Sequence, residues 1–363
     1  MNIDILIGTR PNFIKVTQFR KIAPEFGVHV RIIHTGQHYD RNMADVFFEQ
    51  FGMLPDKFLN IAPGTPVSQM AAIMVGMEQL MLNSYKPAVL IVPGDVNSTL
   101  AGAMVANKMG IPLAHLEAGL RSFDKTMPEE FNRVLTDDMS DVFFVTEDSG
   151  IRHLMQEGKS ASAIHFVGNT MIDTMIAFDK EIRTSGIRAD LGLKRPFVLI
   201  TMHRPGNVDS MDGLIKLMEL MQAVSENTDI VFPAHPRTVS RMKDFGLFDH
   251  FNAISGLKLL EPMAYFDFQN LILHAQAIVT DSGGIQEEST FRRVPCITLR
   301  PNTERPVTVN VGTNELIPFE VSIVKEALMR IQTGKWKPGE TPALWDGQAT
   351  GRILKILADK YNG

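Results

Sequence analysis

The sequence predicts an α/β protein built from two doubly wound halves. Three observations carry this. Short apolar runs alternate with helix-length segments through the first 168 residues, the same alternation restarts after Gly168, and polar residues and glycines gather just after the apolar runs. Apolar runs separated by helices read as βαβ units with a parallel sheet covered on both faces.

In chain order, the strand candidates of the first half are Ile3–Ile7, Val28–Ile33, Ala88–Val92, Leu113–Leu116, Val142–Val145 and His165–Val167. Phe13–Ala23, Val67–Leu82 and Thr99–Lys108 have helical length and pattern between them. In the second half the strands are Phe197–Thr201, Asp229–Phe232, Ala277–Val279 and Cys296–Leu299, with Met211–Val224 as the clearest helix. The charged stretch 177–195 forms a helical entry to this half. The Pro-, Gly- and Lys-rich stretch 335–342 reads as a linker to a last helix, Gly351–Lys360, expected to pack back on the first domain. The expected domains are 1–168 plus 346–363, and 169–345.

Composition removes several function classes. The 363 residues are 44% hydrophobic and 21% charged with a net charge of −5, which leaves two ordinary cores and no general nucleic-acid or membrane surface. No apolar run reaches membrane-spanning length and no leader pattern opens the chain, so a cytoplasmic setting is expected. A single cysteine, Cys296 in an apolar context, rules out internal disulfides and cysteine metal clusters. No two glycines are spaced i, i+2, so the dinucleotide fingerprint is absent, and there is no Walker loop, His-Glu-x-x-His or nucleophile elbow.

What remains lies at the C-terminal ends of the strands, the edge at which open α/β sheets bind ligands. Thr9, Arg10 and Lys15 follow the first strand. Gly36, Gln37 and His38 follow the second, Asp95 follows the third through Pro93-Gly94, and Glu117 ends the strand carrying His115. In the second half His203, Arg204 and His235 follow strands in the same way, and Arg300 and Arg305 come after the last. Ala277–Thr280 leads through Asp281-Ser282-Gly283-Gly284 into a helix carrying Glu288. Bare N–H groups at such a helix start suit a phosphate. Singly each residue has a bland reading: Asp95 as a helix cap, Glu117 as an ion-pair partner, a histidine as a structural donor. Jointly, cationic groups Arg10, Lys15, His203 and Arg305 suit a diphosphate, while Asp95, Glu117, Glu129 and Glu130 supply acid/base groups. That describes a nucleotide-sugar enzyme and leaves glycosyl transfer and epimerisation both open.

The ordered motifs go further. Gly8-Thr9-Arg10-Pro11, Thr35-Gly36-Gln37-His38, Pro93-Gly94-Asp95-Val96-Asn97-Ser98, His115-Leu116-Glu117-Ala118-Gly119-Leu120-Arg121, Pro128-Glu129-Glu130-Phe131-Asn132-Arg133, Gly168-Asn169-Thr170, His203-Arg204, the Ser-Gly-Gly turn and Thr303-Glu304-Arg305-Pro306 run nearly end to end. Together they resemble the non-hydrolysing UDP-N-acetylglucosamine 2-epimerase family. The resemblance implies two Rossmann-like domains with a cleft between them (GT-B-type), a homodimer, and chemistry without NAD, metal or other cofactor. It implies Asp95, Glu117 and Glu129 as proton-handling residues with His203 at the diphosphate. Ser282, Gly283 and Gly284 would hold the phosphates and Glu288 the ribose. Arg10, Lys15, His235 and Arg305 would bracket the nucleotide, with Tyr265–Phe268, Phe268 above all, at the uracil.

The sequence departs from the family pattern in places. Position 12 is Asn rather than Glu, and the acidic residue usual after His203-Arg204 gives way to Pro205-Gly206-Asn207. Residues 122–127 form a short segment similar to a sub-branch that includes UDP-diacetamido-glucuronate epimerases. Asp40 and the stretch 62–65 differ from the second, regulatory UDP-sugar site of some members, so that site is not expected. A related UDP-sugar, a GT-B glycosyltransferase, a hydrolysing epimerase and a UDP-sugar sensor remain the alternatives.

Overall fold

In the computed structural model, which describes residues 1–36, 48–226 and 228–362, every strand pairing is parallel. The chain divides into two units, Met1–Phe178 with Ala343–Gly363, and Asp179–Pro342.

The first unit holds strands β1 (Asn2–Ile7), β2 (His29–His34), β3 (Lys57–Phe58), β4 (Val89–Pro93), β5 (Leu113–Leu116), β6 (Val142–Val145) and β7 (Ile164–Phe166) in the order β3-β2-β1-β4-β5-β6-β7. The second holds β8 (Phe197–Thr201), β9 (Asp229–Pro233), β10 (Leu257–Leu260), β11 (Ala277–Thr280), β12 (Cys296–Thr298) and β13 (Asn314–Leu316) in the order β10-β9-β8-β11-β12-β13. Both orders reverse direction once, between β1 and β4 and between β8 and β11. Chain connections diverge there and open a crevice at the strand ends, the position where such sheets bind ligands.

Alternation along the strands builds a core on each face. In the second unit Phe197 and Leu199 join Ile278 and Cys296 on one face, while Val198 and Ile200 join Val279 and Ile297 on the other. Each such side chain is worth about 1.5–3 kcal/mol of burial. One polar pair interrupts the first core. Asp4 and Arg31, register partners on β1 and β2, form a buried two-pronged ion pair at 2.9 and 2.5 Å, with Arg31 stacked 3.9 Å over Tyr85.

Three expectations need correction. The helix over Phe13–Ala23 is instead two short ones, Arg10–Ile14 and Phe19–Ile22. The Ile14 carbonyl, which a continuous helix would spend on its own ladder, accepts Thr174 Oγ1 at 2.5 Å, and Lys15 closes the first helix in a tight turn. Strands β3, β10 and β13 were not foreseen. The first unit also continues past 168, because the helix Thr170–Ala177 is bound into it: Thr174 meets Ile14, and Asp173 accepts the N–H groups of Ala349 and Thr350. Ala349–Tyr361 forms the last helix and packs against Phe19–Ile22 and Thr170–Ala177.

Candidate active site

In the first unit the sheet reversal brings together the turn after β1 and the turn after β4. Asn12 donates to the Pro93 carbonyl at 3.1 Å, and Lys15 donates to Glu117 Oε2 at 2.6 Å in a buried ion pair. A Cβ on Gly94 would lie 3.3 Å from Lys15 Nζ and 3.8 Å from Glu117 Oε2, so the Gly94-Asp95 turn and the Glu117 carboxylate are neighbours. Glu117 itself has φ +71°. For a residue with a Cβ this left-handed backbone is strained, a condition that recurs at functional positions.

Asp95 is half-buried and ion-paired with the buried Arg133. Arg133 also donates to Glu130 at 2.5 Å, and Asn132 donates to the Asp95 carbonyl at 2.9 Å. Glu130 accepts the Ser122 and Phe123 N–H groups and the Ser122 hydroxyl. Burial alone would raise its pKa, but these donors and Arg133 outweigh it and hold the carboxyl below the usual range. Glu130 is thus committed to shaping the 122–123 turn. Its neighbour Glu129 remains half exposed at the helix start.

In the second unit Asp281 organises the crevice. It accepts the N–H groups of His203 and Arg204, the Asn207 amide at 3.1 Å, and His203 Nδ1 at 3.0 Å. Burial would push its carboxyl up, yet the hydrogen bond and charge of His203, with the other donors, hold it below its ordinary value. Asn207, the departure noted in the sequence, is therefore a donor to Asp281. His235 caps the helix Pro236–Asp244 and its ring lies 5.6 Å from that of His203. A pocket of about 190 Å³ opens here, lined by His203, His235, Met263, Phe268, Ser282 and Ile285 among others.

Ser282 is the N-cap of the helix Gly283–Arg292. A Cβ on Gly283 would fall 2.7 Å from Arg305 Nη1, which brings the Arg305 guanidinium against the Ser-Gly-Gly turn. Arg305 is buried and paired with Glu287 at 2.6 Å and Glu304 at 2.5 Å. Glu288 lies further along the same helix and is almost fully buried. Burial first, then the charge of Glu287, pushes its carboxyl up to about 8, with Gln269 and Arg292 opposing.

The geometry thus groups Lys15, Asp95 and Glu117 in one unit, and His203, His235, Phe268 and Ser282 around one pocket in the other. Arg10 lies exposed at the start of its helix, and Tyr265 is a buried core aromatic. Gln37, His38 and Asp40 lie outside the described residues. Arg133, Asp137, His115 and Asp281 are the polar residues that inspection of the sequence did not single out for a role. Among the described residues no three His, Cys, Asp or Glu side chains are grouped to hold a metal ion, and no helix is long and apolar enough to cross a membrane. Cys296 is no nucleophile candidate, since burial pushes its thiol up to about 11.

Comparison with known proteins identifies the family. Residues 20–358 match the family model described as UDP-N-acetylglucosamine 2-epimerase. The chain belongs to the UDP-N-acetylglucosamine 2-epimerase family. Among its relatives, the UDP-N-acetylglucosamine 2-epimerase of Methanocaldococcus jannaschii is 40% identical over 98% of this chain and 99% of its own. The UDP-2,3-diacetamido-2,3-dideoxy-D-glucuronate 2-epimerase of Pseudomonas aeruginosa is 37% identical, with 99% of each chain covered. The crystal structure of the M. jannaschii UDP-GlcNAc 2-epimerase in complex with UDP-GlcNAc and UDP superposes with a TM-score of 0.91 at 39% identity, covering 99% of this chain and 100% of that one. The fold is that of these epimerases: α/β, with two parallel sheets of GT-B type.

Proposed function

We propose that this protein is a non-hydrolysing epimerase that interconverts UDP-N-acetylglucosamine and UDP-N-acetylmannosamine. The observation that carries the reading is the buried Lys15–Glu117 pair set beside the Gly94-Asp95 turn at the sheet reversal of the first unit. The C2 proton of the sugar is not acidic enough for simple removal. Inversion therefore proceeds by elimination: the C1–O bond to UDP breaks as a carboxylate takes the C2 proton, giving a 2-acetamidoglucal. UDP then adds back at C1 while a proton is delivered to the opposite face of C2. Two acid/base groups and a firm hold on the departing diphosphate are required.

In this reading the first unit is the acid/base domain, with Asp95, Glu117 and Glu129 handling protons and Lys15 and Arg10 offering positive charge. The second is the UDP-binding domain. Gly283 and Gly284 present N–H groups to the phosphates and Ser282 its hydroxyl, because the Ser282 N–H is donated to Thr280 Oγ1 at 3.0 Å. His203, His235 and Arg305 offer donors, Phe268 borders the uracil and Glu288 accepts the ribose hydroxyls. No cofactor enters the chemistry. NMR in deuterated water with UDP-N-acetylglucosamine and no acceptor tests the reading. Deuterium at C2 of an intact, mannose-configured UDP-sugar is the expected result; a released free sugar would mean a hydrolysing epimerase, and no exchange would sink the mechanism for this substrate.

The relative from P. aeruginosa, together with the short 122–127 segment, favours a second reading with the same chemistry on UDP-2,3-diacetamido-2,3-dideoxyglucuronate. Exchange with that sugar alone would move the substrate and keep the mechanism. A homodimer is part of the proposal. The helix Pro66–Asn83 leaves Val67, Val75 and Leu82 at 78%, 52% and 68% exposure, an apolar face suited to a second copy. Val75→Asp should convert a dimer to a monomer in sedimentation. A cytoplasmic setting, where nucleotide sugars are made, completes the reading and is checked by cell fractionation.

A further inference from the structure

His115 and Asp137 are fully buried, and neither belongs to the residues assigned above to substrate. Their contacts reach the two catalytic turns from below. His115 Nε2 lies 2.8 Å from the carbonyl oxygen of Gly94, the residue before Asp95. His115 Nδ1 lies 2.6 Å from Asp137 Oδ1. A carbonyl oxygen only accepts, so Nε2–H donates to Gly94, while Nδ1 faces the Asp137 carboxylate. Asp137 Oδ2 accepts the N–H of Gly119 at 3.1 Å, two residues past Glu117, and an Arg121 N–H at 2.7 Å. Arg121 is anchored in turn by Glu157 at 2.9 and 2.6 Å.

The turn that Asp137 grips is one that does not hold itself. Glu117 and Gly119 both have positive φ, +71° and +76°, and Gly119 approaches Gly150 so closely that a Cβ would sit 2.4 Å from its carbonyl oxygen. Burial alone would raise the Asp137 pKa. The charge and hydrogen bonds of His115 and Arg121 reverse this and keep it an ionised acceptor.

We propose that Asp137, acting through His115 on one side and the Gly119 N–H on the other, is the positioning residue that locks the Asp95 and Glu117 turns into one register. One buried carboxylate sets the spacing of two proton-transfer groups on different strands. The proposal rests on the reading of Asp95 and Glu117 as the proton-handling pair. A loss of register of about 1 Å costs roughly 100-fold in rate, because proton transfer needs hydrogen-bond reach.

The test uses the full chain with Asp137→Asn, His115→Asn and the double variant. Turnover is counted per folded molecule by near-ultraviolet circular dichroism, alongside calorimetric UDP affinity. Positioning predicts kcat about 100-fold down in each single variant, with KM and UDP affinity within about threefold. The double variant should be no worse than the poorer single, since the pair acts as one device. A purely structural role would instead lower stability and leave kcat per folded molecule within about threefold of the parent, and that result, or additive losses in the double variant, overturns the proposal. If Asp137→Asn does not fold, His115→Asn decides alone by the same split between kcat and KM. Asp95→Asn and Glu117→Gln are run in parallel. Full activity in those would overturn the carboxylate reading and the proposal with it, whereas their inactivity beside active Asp137 and His115 variants would overturn the proposal only.

Discussion

UDP-sugar binding should release a proton from Glu288. Its carboxyl is buried on the helix that follows the Ser-Gly-Gly turn, and its pKa of about 8 makes it roughly 90% protonated at pH 7 in the empty protein. A carboxylate accepting two ribose hydroxyls is favoured as the anion, so binding would pull the proton off. Release at pH 7 should then approach about 0.9 protons per site. Apparent affinity should rise about ninefold from pH 6 to 7, about fivefold from 7 to 8, and level off above. Calorimetry in buffers of different ionisation enthalpy reads the proton count directly. UDP-N-acetylglucosamine on an Asp95→Asn background is the suitable ligand, because its diphosphate does not titrate in this range and the sugar is not turned over. Glu288→Gln should abolish the release and weaken binding about tenfold or more through loss of charge-assisted hydrogen bonds. The linkage has a stability counterpart. With a folded pKa raised above the ordinary 4.5, the group's contribution is full below 4.5 and lost as pH rises through about 8. Glu288→Gln should therefore flatten the decline in Tm of the ligand-free protein between pH 4.5 and about 8. Zero proton release at pH 7, or the same release from Glu288→Gln, would refute the assignment of Glu288 to the ribose.

Three further outcomes are expected. Asp281→Asn removes a charged acceptor from four donors of the His203–Asn207 turn, so UDP affinity by calorimetry should fall about 10- to 100-fold with the fold intact. Gly119→Ala puts a Cβ 2.4 Å from the Gly150 carbonyl on a left-handed backbone, and the urea midpoint should report a loss of about 2–5 kcal/mol or a chain that does not fold. Arg31→Met leaves Asp4 buried without its partner at a cost of about 3–5 kcal/mol, and adding Asp4→Val should restore most of it in the same unfolding assay.

How far the sequence reveals this protein depends on whether the physics is local. The buried central strands were legible because a strand covered on both faces is a mostly apolar run. Val142–Val145 is apolar throughout, Leu113–Leu116 is broken only by His115 and Phe197–Thr201 only by its last residue, and all three match residue for residue. Edge strands carry no such run. β3 has two residues, both exposed, and β10 is only partly buried along its length. The Phe13–Ala23 helix failed for another reason, since the hydroxyl that ends it comes from Thr174, 160 residues away. At the site, the polar residues after each strand and the Ser-Gly-Gly turn could be read because chain geometry ties them to the sheet edge. The supporting ion pairs could not. Arg133 reaches Asp95 across 38 residues and Asp281 reaches His203 across 78, separations at which no spacing rule operates.

The left-handed backbone at Glu117 carries a consequence for engineering. Its conformation costs about 1–2 kcal/mol for any residue with a Cβ, a cost that glycine escapes and asparagine reduces. Glu117→Gly, with Lys15→Met to avoid stranding its amine, is thus a route to a sturdier protein without the carboxylate on which proton transfer is proposed to depend. A library ranked by heat tolerance alone would drift towards that change and discard this carboxylate early, whereas a screen that demands turnover would keep the strained residue and find its stability elsewhere.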